Sequence, residues 1–374
     1  MMTTDSLGLY VHIPYCVRKC NYCDFCSFPK GTGGVPDLYV DRLCDEILEY
    51  SGREQRPLDT VYFGGGTPSL LSPCQMEKIV ASIRNTFGIS PLAEITFEAN
   101  PGTLTREKVN AFRSLGFNRV SIGLQSIHEN EMKKLGRIHN YEDFLSAFKM
   151  LREAEFDNIS VDLMYGIPHQ TKESFLETVR AVIALSPEHI SAYGLMVEEG
   201  TPFYAERDSL PLPSLDEECD MYDIARETLS DAGYEHYEIS NYAQEGYRSR
   251  HNSLYWNLGE YIGIGAAAHS YYDGVRYANS EDVDEYISSS GLDNHGEKET
   301  IEDLAYEYAM LKLRLRDGFS LSDYKARFGL SFTEGKEQVL RRLFDEGLIS
   351  MTDDRIALTE RGFYLSNSIL VEIL

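Results

Sequence analysis

Four cysteines fall within eleven residues near the start of the chain, at Cys16, Cys20, Cys23 and Cys26 in the run HIPYCVRKCNYCDFCSF. The C-x3-C-x2-C spacing of the first three gathers three thiolates on one loop, a donor set suited to an iron–sulfur cluster. Structural zinc is the main competitor, but zinc sites usually draw ligands from two separated pairs. No second pair follows, since Cys44, Cys74 and Cys219 stand alone. A disulfide framework fits poorly, because the chain is long, shows no signal-peptide pattern and packs its thiols too closely to bridge distant loops. Tyr15, Tyr22, Phe25 and Phe28 interleave with the thiols. Such rings are expected to shield a redox cluster from water and tune its potential.

The run resembles the signature of the radical S-adenosylmethionine (SAM) superfamily, C-x3-C-x-aromatic-C, which Cys16, Cys20, Tyr22 and Cys23 match at every position. The resemblance implies that these three cysteines hold a [4Fe–4S] cluster. Its fourth iron would stay open for the amino and carboxylate groups of SAM, as in any catalytic metal site with a vacant position. Cys26 exceeds that set. It stands as a spare buried thiol, a temporary ligand before SAM binds, or a substrate-side residue, and the spare or accessory role is preferred.

Chemistry of this kind needs a scaffold, and 374 residues can hold one large domain and a smaller one. A hydrophobic content of 43% with no apolar run long enough to span a bilayer reads as soluble and globular. A net charge of −25 disfavours non-specific nucleic-acid binding. Seven cysteines, no targeting segment and an oxygen-labile cluster point to a reducing cytoplasm.

Short apolar runs at Leu7–His12, Thr60–Phe63, Glu94–Glu98, Arg119–Gly123, Ile159–Leu163 and His189–Tyr193 read as strands. Between them, amphipathic patterns near Asp37–Glu49, Pro73–Thr86, Arg106–Ser114, Tyr141–Ala154 and Lys172–Leu185 read as helices. Ser72-Pro73 and Thr105 supply capping chemistry. Six such repeats predict an α/β fold of parallel strands with crossover helices, a partial (β/α)6 TIM-like barrel over residues 1–207. The Pro- and Ser-rich DSLPLPSL opens a connecting α/β segment over 208–297. Within it, Asp216–Ala232 reads as a helix and Tyr234–Ile239 as a strand. Residues 298–374 read as a smaller α+β, winged-helix-like domain that ends in a hairpin at Leu348–Leu358. That shape often binds DNA, but this one is acidic and lacks a basic recognition stripe, so it is expected to serve packing or a partner.

Ligands in βα architectures bind at the carboxyl ends of the strands. After the second strand comes Gly64-Gly65-Gly66-Thr67-Pro68, whose glycines let backbone amides approach a ligand, or simply make a tight turn. It resembles the "GGE"-type motif that holds the SAM amino group. Glu98, Gln125, Arg137 and Asp162 lie at or beyond successive strand ends. Each alone reads as an ordinary polar residue. Together they offer carboxylates for the ribose hydroxyls and amino group, and a guanidinium for a carboxylate.

The combination resembles the coproporphyrinogen III oxidase-like branch of the superfamily, which contains oxygen-independent coproporphyrinogen dehydrogenases and heme chaperones. The likeness runs through YVHIPYCVRKCNYCDF, YFGGGTPS, EANPG, SIGLQS, GRIHN and DLMYGIP and into the C-terminal half. It implies SAM contacts at Tyr10, Gly65, Gly66, Thr67, Glu98, Gln125, Arg137 and Asp162, and cluster ligands at Cys16, Cys20 and Cys23.

Three features point to the chaperone side. Only fifteen residues precede Cys16, which leaves no room for the longer N-terminal segment of the dehydrogenases. The dehydrogenase signature ends C-x2-C-x-C, whereas Phe25 fills that slot here and Cys26 comes one later. Arg250–Trp256, RHNSLYW, resembles the HNxxYW motif of the chaperones and contains the only tryptophan. The motif implies His251 as an axial heme ligand with Tyr255 and Trp256 stacked on the porphyrin. The alternative is a structural histidine hydrogen-bonded beneath the barrel. His269, in GIGAAAHS, is a second candidate.

The resemblance thus implies a protein that binds heme and delivers it to apo-hemoproteins such as membrane respiratory cytochromes. The cluster and SAM would gate transfer or dimerisation, a homodimer fits, and membrane contact would go through a partner. One alternative is radical oxidative decarboxylation of a tetrapyrrole. Another is a structural iron–sulfur or zinc protein, which would leave the strand-end polar set without a purpose.

Overall fold

Alternation along each early strand sends apolar side chains to one face and polar ones to the other. The structure, a computed structural model, describes residues 6–291, 296 and 298–374. Strand β1 (Leu7–Ile13) leads into the cysteine loop, whose ends pair as β2 (Tyr15–Cys16) and β3 (Phe28–Pro29). Then follow β4 (Leu58–Gly65), β5 (Ile89–Ala99), β6 (Arg119–Gln125), β7 (Ile159–Tyr165) and β8 (His189–Gly194). Strands β1 and β4 to β8 pair in sequence order, all parallel, and supply the six strands expected.

The crossover helices Asp37–Glu49, Pro73–Thr86, Arg106–Ser114, Tyr141–Glu153 and Lys172–Ile183 cover the outside. Ser72 and Thr105 cap two of them through the backbone amides of Gln75 and Lys108, as expected. Against these helices the strands bury Leu9, Val11, Phe63, Phe97, Ile122, Val161 and Ile190. Phe97 meets the rings of Phe112, Phe117 and Phe156 at 5.2, 5.3 and 6.1 Å, so truncating it to alanine would cost about 3–5 kcal/mol.

The inner face is different. Branched apolar side chains ordinarily fill a TIM barrel. Here Tyr62, Glu98, Arg119, Ser121, Asp162, His189, Ser191 and Tyr193 point inward and line a cavity. Buried polar groups in such number need partners, and a bound polar ligand is one way to supply them.

The segment after residue 207 adds the helix Leu215–Asp231 and extends both edges of the sheet. Strands β9 (Glu235–His236) and β10 (Asn241–Ala243) join β8 in antiparallel fashion. On the far edge β11 (Glu260–Ile264) lies parallel to β1, followed by antiparallel β12 (His269–Tyr272) and β13 (Val275–Ala278). Of the expected strand Tyr234–Ile239 only Glu235–His236 forms, and β10 follows beyond it. Among the described residues this sheet has eleven strands. The expected boundary at residue 297 lies outside the described residues.

The C-terminal part carries helices Ile301–Lys312, Leu321–Phe328 and Glu337–Asp345 beside β14 (Phe319–Ser320), β15 (Ile349–Met351) and β16 (Arg355–Leu358), a winged-helix-like arrangement. Its core of Tyr308, Phe319, Tyr324, Leu340 and Ile356 also takes in Leu258 and Tyr271 from the barrel edge. Among the described residues no helix is long and apolar enough to cross a membrane.

Candidate functional site

A cavity of about 370 Å³ is lined by the cysteine loop and by the inner face of the strands. Cys16, Cys20 and Cys23 line it and Cys26 does not. The loop is anchored from below. Asn21 donates to the Leu135 and Lys134 carbonyls, which end the helix Glu129–Leu135. The Thr67 hydroxyl lies 3.4 Å from Cys16 Sγ, Arg137 Nη1 lies 3.6 Å from Cys20 Sγ, and Ser27 Oγ lies 3.9 Å from Cys23 Sγ. Burial pushes the Cys16 and Cys23 thiols up, a bias that binding to iron would reverse.

Among the described residues no three histidine, cysteine or carboxylate groups converge as one metal ion requires. Three thiols spaced around a cavity fit a multi-atom cluster better than a lone zinc ion. The aromatic shield needs correction. Tyr15 is buried and Tyr22 lines the cavity, but Phe25, at the cavity rim, and Phe28, which lines neither cavity, are 63% and 43% exposed.

Seven of the eight expected SAM contacts line this cavity: Gly65, Gly66, Thr67, Glu98, Gln125, Arg137 and Asp162. A Cβ on Gly66 would lie 2.7 to 2.8 Å from backbone atoms of Tyr15 and Ile13, so only glycine lets this turn pass under the cysteine loop. Gly65, at φ +104°, makes room for the His12 ring. The register between β6 and β7 slips after Gly123, and Gln125 takes a left-handed φ of +72° that turns its side chain to the cavity.

Arg137 Nη2 donates to the Gly123 carbonyl at 2.8 Å, while its buried Nε has no partner among the described residues. An unsatisfied guanidinium nitrogen beside the cysteine loop suits a ligand carboxylate. Tyr62 donates to Glu98 at 2.8 Å. Burial, aided by the charge of Asp162, raises the Glu98 carboxyl to about 7. Asp162 sits in mid-strand, accepts from Ser121 at 3.1 Å, and is also pushed up by burial. The residues present thus fit SAM: a guanidinium, two carboxylates, an amide and a glycine cradle around one space.

Tyr10 lies elsewhere. It lines an adjoining cavity of about 510 Å³, together with His12, Cys26, Tyr255, Tyr261, His269 and Arg276. Phe25, Gly65 and Glu98 belong to both walls.

His251 lines neither cavity. It is 1% exposed, with Nδ1 2.8 Å from Thr60 Oγ1 and Nε2 2.7 Å from the Tyr255 hydroxyl. Burial drives its pKa down to about 3. Both ring nitrogens are engaged, which is the geometry of the structural alternative. Glu94 holds the start of the helix Arg250–Trp256 by accepting from the Arg250 and His251 amides at 3.0 Å. Trp256 lines neither cavity, and its buried Nε1 has no partner among the described residues.

Sequence reasoning missed Tyr62, Arg119 and His12. The available signal was their period-two placement opposite apolar residues on strands of a sheet covered on both faces.

Barrel, three-cysteine loop and strand-end polar set define a radical SAM protein. The model of the Radical SAM superfamily matches residues 10–182, and that of the HemN C-terminal domain matches residues 300–365. Among curated relatives, heme chaperone HemW of Lactococcus lactis is 34% identical over 98% of this chain and 96% of that one. The HemW proteins of Bacillus subtilis and Escherichia coli are each 35% identical, over 96% and 99% of this chain and 97% and 98% of theirs. The chain belongs to the HemW family. Its fold is also that of coproporphyrinogen III oxidase (HemN) from Escherichia coli, with a TM-score of 0.84 at 24% identity over 98% of this chain and 90% of that one.

Proposed function

We propose that the protein binds heme and delivers it to apo-hemoproteins, membrane respiratory cytochromes among them, while holding a [4Fe–4S] cluster and SAM in its barrel. The curated relatives named heme chaperones support this reading over almost the whole chain. The structural observation that carries it is the second cavity. At about 510 Å³ it falls within the roughly 300–1,000 Å³ of small-molecule pockets, its lining is rich in aromatic rings, and it shares a wall with the cluster cavity.

Cys16, Cys20 and Cys23 would hold the cluster. Bound there, the cluster supplies an open iron and one-electron chemistry toward SAM. The chain's own residues orient and enclose. Arg137 faces the SAM carboxylate, Glu98 and Asp162 face the amino and ribose groups, and Gly65 and Gly66, whose own amides bond Glu98 and the Ile13 carbonyl, keep that wall free of side chains. Tyr10, from the neighbouring cavity, stands on the heme side of the shared wall. The recipient cytochrome would bring the protein to the membrane, and a homodimer is the expected assembly.

The test uses one cluster-loaded anaerobic sample for two assays. Saturable heme binding followed by transfer to an apo-cytochrome supports the reading. Conversion of coproporphyrinogen III to protoporphyrinogen IX by that sample would replace it with the dehydrogenase reading.

A further inference from the structure

We infer that the second cavity is where heme sits and that His269, rather than His251, supplies the ligand to its iron. The inference rests on the heme-binding reading above and deepens it.

Iron in heme takes imidazole, thiolate, thioether or phenolate ligands. The cavity wall offers imidazoles from His12 and His269, the Cys26 thiol, and the phenols of Tyr10, Tyr255 and Tyr261. His12 is committed on both sides. Its Nε2 donates to the Cys26 carbonyl at 2.9 Å, and its Nδ1 accepts from the Tyr10 hydroxyl at 3.0 Å. The ring is also wedged against Gly65, where an added Cβ would come within 2.4 Å. The Cys26 thiol donates to the Glu281 carbonyl at 3.5 Å, and burial pushes it away from the thiolate form. Burial likewise holds all three phenols in their neutral form. His269 remains. Its side chain is exposed on the cavity wall, and among the described residues its ring makes no hydrogen bond.

The backbone fixes the point from which that side chain starts. His269 opens β12 just after a tight turn with Gly265 at φ +105° and Ala267 at φ +58°. A left-handed alanine is uncommon and persists where its surroundings hold it. Here the Ala267 amide donates to the Ser280 carbonyl at 2.8 Å, and the Ala268 amide to the Gly265 carbonyl at 3.1 Å. Beside the turn, a Cβ on Gly263 would lie 2.1 Å from the His269 carbonyl oxygen, so β11 and β12 meet more closely than any other residue allows.

The rest of the wall suits a flat amphipathic ring. The small side chain of Ala267 leaves space for close approach, and Tyr255 and Tyr261 present an edge-to-face pair with centroids 4.5 Å apart. Arg276 stacks 4.4 Å from the Tyr271 ring and donates to both Glu307 oxygens at 2.6 and 2.7 Å. A heme propionate would share that guanidinium with Glu307. His251 enters as a positioning residue, because its bond to the Tyr255 hydroxyl sets the ring that lines the cavity.

The experiment is anaerobic titration of the full-length protein with hemin, read by absorbance and EPR, for wild type, His269→Ala, His269→Gln, Cys26→Ala and His251→Ala. Circular dichroism confirms folding of each, and His269, being exposed, tolerates exchange. The expected result is a saturable Soret shift with an imidazole-type signature in wild type. Both His269 variants should lose that signature and bind at least tenfold more weakly, and added free imidazole should restore the spectrum of His269→Ala. His251→Ala should weaken binding yet keep the ligand signature. An unchanged spectrum in both His269 variants overturns the inference, as does a signature lost through Cys26→Ala or His251→Ala. Wild type that takes up no heme saturably sinks the heme reading itself, whereas the other adverse outcomes sink only the ligand assignment.

Discussion

Replacing Glu98 with glutamine should stabilise the cluster-free protein at alkaline pH and leave it nearly unchanged in acid. The carboxyl is buried on the wall between the two cavities, and its pKa stands at about 7 against the usual glutamate value of 4.5. Desolvation is the largest cause. The charge of Asp162 adds to it, while bonds from Tyr62 and the Gly65 amide oppose it. A raised folded-state pKa means that the native state holds this proton more tightly than the unfolded chain does. Stability is therefore lost as pH rises from the unfolded value through the folded one. Each unit corresponds to 1.36 kcal/mol, so a rise from 4.5 to about 7 amounts to about 3 kcal/mol, fully expressed above pH 8. Glutamine carries no charge and still accepts the Tyr62 bond, so the variant escapes that loss. Thermal melts of iron-free protein under reductant, at half-unit steps from pH 4.5 to 9, should show the variant's advantage growing with pH by several degrees. A gap that stays flat with pH, or that widens toward acid, would refute the reasoning.

Other perturbations separate the layers of the site. Cys16→Ser, Cys20→Ser and Cys23→Ser should each abolish the brown chromophore after reconstitution while Cys26→Ser keeps it, since only the first three line the cluster cavity; iron content per chain checks this. Gly66→Ala should lower the urea midpoint by an amount equivalent to about 2 kcal/mol or more, because the new Cβ meets immovable backbone at 2.7 to 2.8 Å. Arg137→Lys forfeits the fork that bonds Gly123 and leaves Nε for a carboxylate, and should weaken SAM about tenfold or more in calorimetry. Thr60→Val removes a partner of buried His251 and should cost about 1–3 kcal/mol; no cost would undercut the structural role of that histidine.

The scaffold was legible because two periodicities in the sequence answered to it. Strands such as Arg119–Gln125 and Ile159–Tyr165 carry apolar residues at every second position, and the helices between them open on capping residues. What escaped was non-local. Strand β11 is five residues long and finds its place only by pairing with β1, some 250 positions earlier in the chain. Short strands of this kind take their identity from the partner, and local pattern carries little of it. The short helix Glu129–Leu135 also escaped, although its Leu135 carbonyl anchors the cysteine loop.

Motif and chemistry part company most clearly in RHNSLYW. Residue type makes His251 a reasonable iron ligand, but a ligand needs a free lone pair that faces a space large enough for the macrocycle. Strand β5 decides otherwise. Its Glu94 takes the amides at the start of the helix Arg250–Trp256 and draws His251 beneath the barrel, where Thr60 and Tyr255 occupy both ring nitrogens. Nothing in the seven residues of the motif encodes that constraint, because it comes from a carboxylate 157 positions away. Cys26 shows the same dependence. Three residues past Cys23 its sequence position leaves it a spare thiol, a temporary ligand or a substrate-side residue, and the loop delivers its thiol to the neighbouring cavity. A change of cavity is a change of candidate chemistry, from holding a cluster to meeting a macrocycle. The fold shared with HemN leaves that choice open, since a fold does not by itself set a function. It is the side chains on the second wall, His269 foremost, that make heme binding the reading to test first.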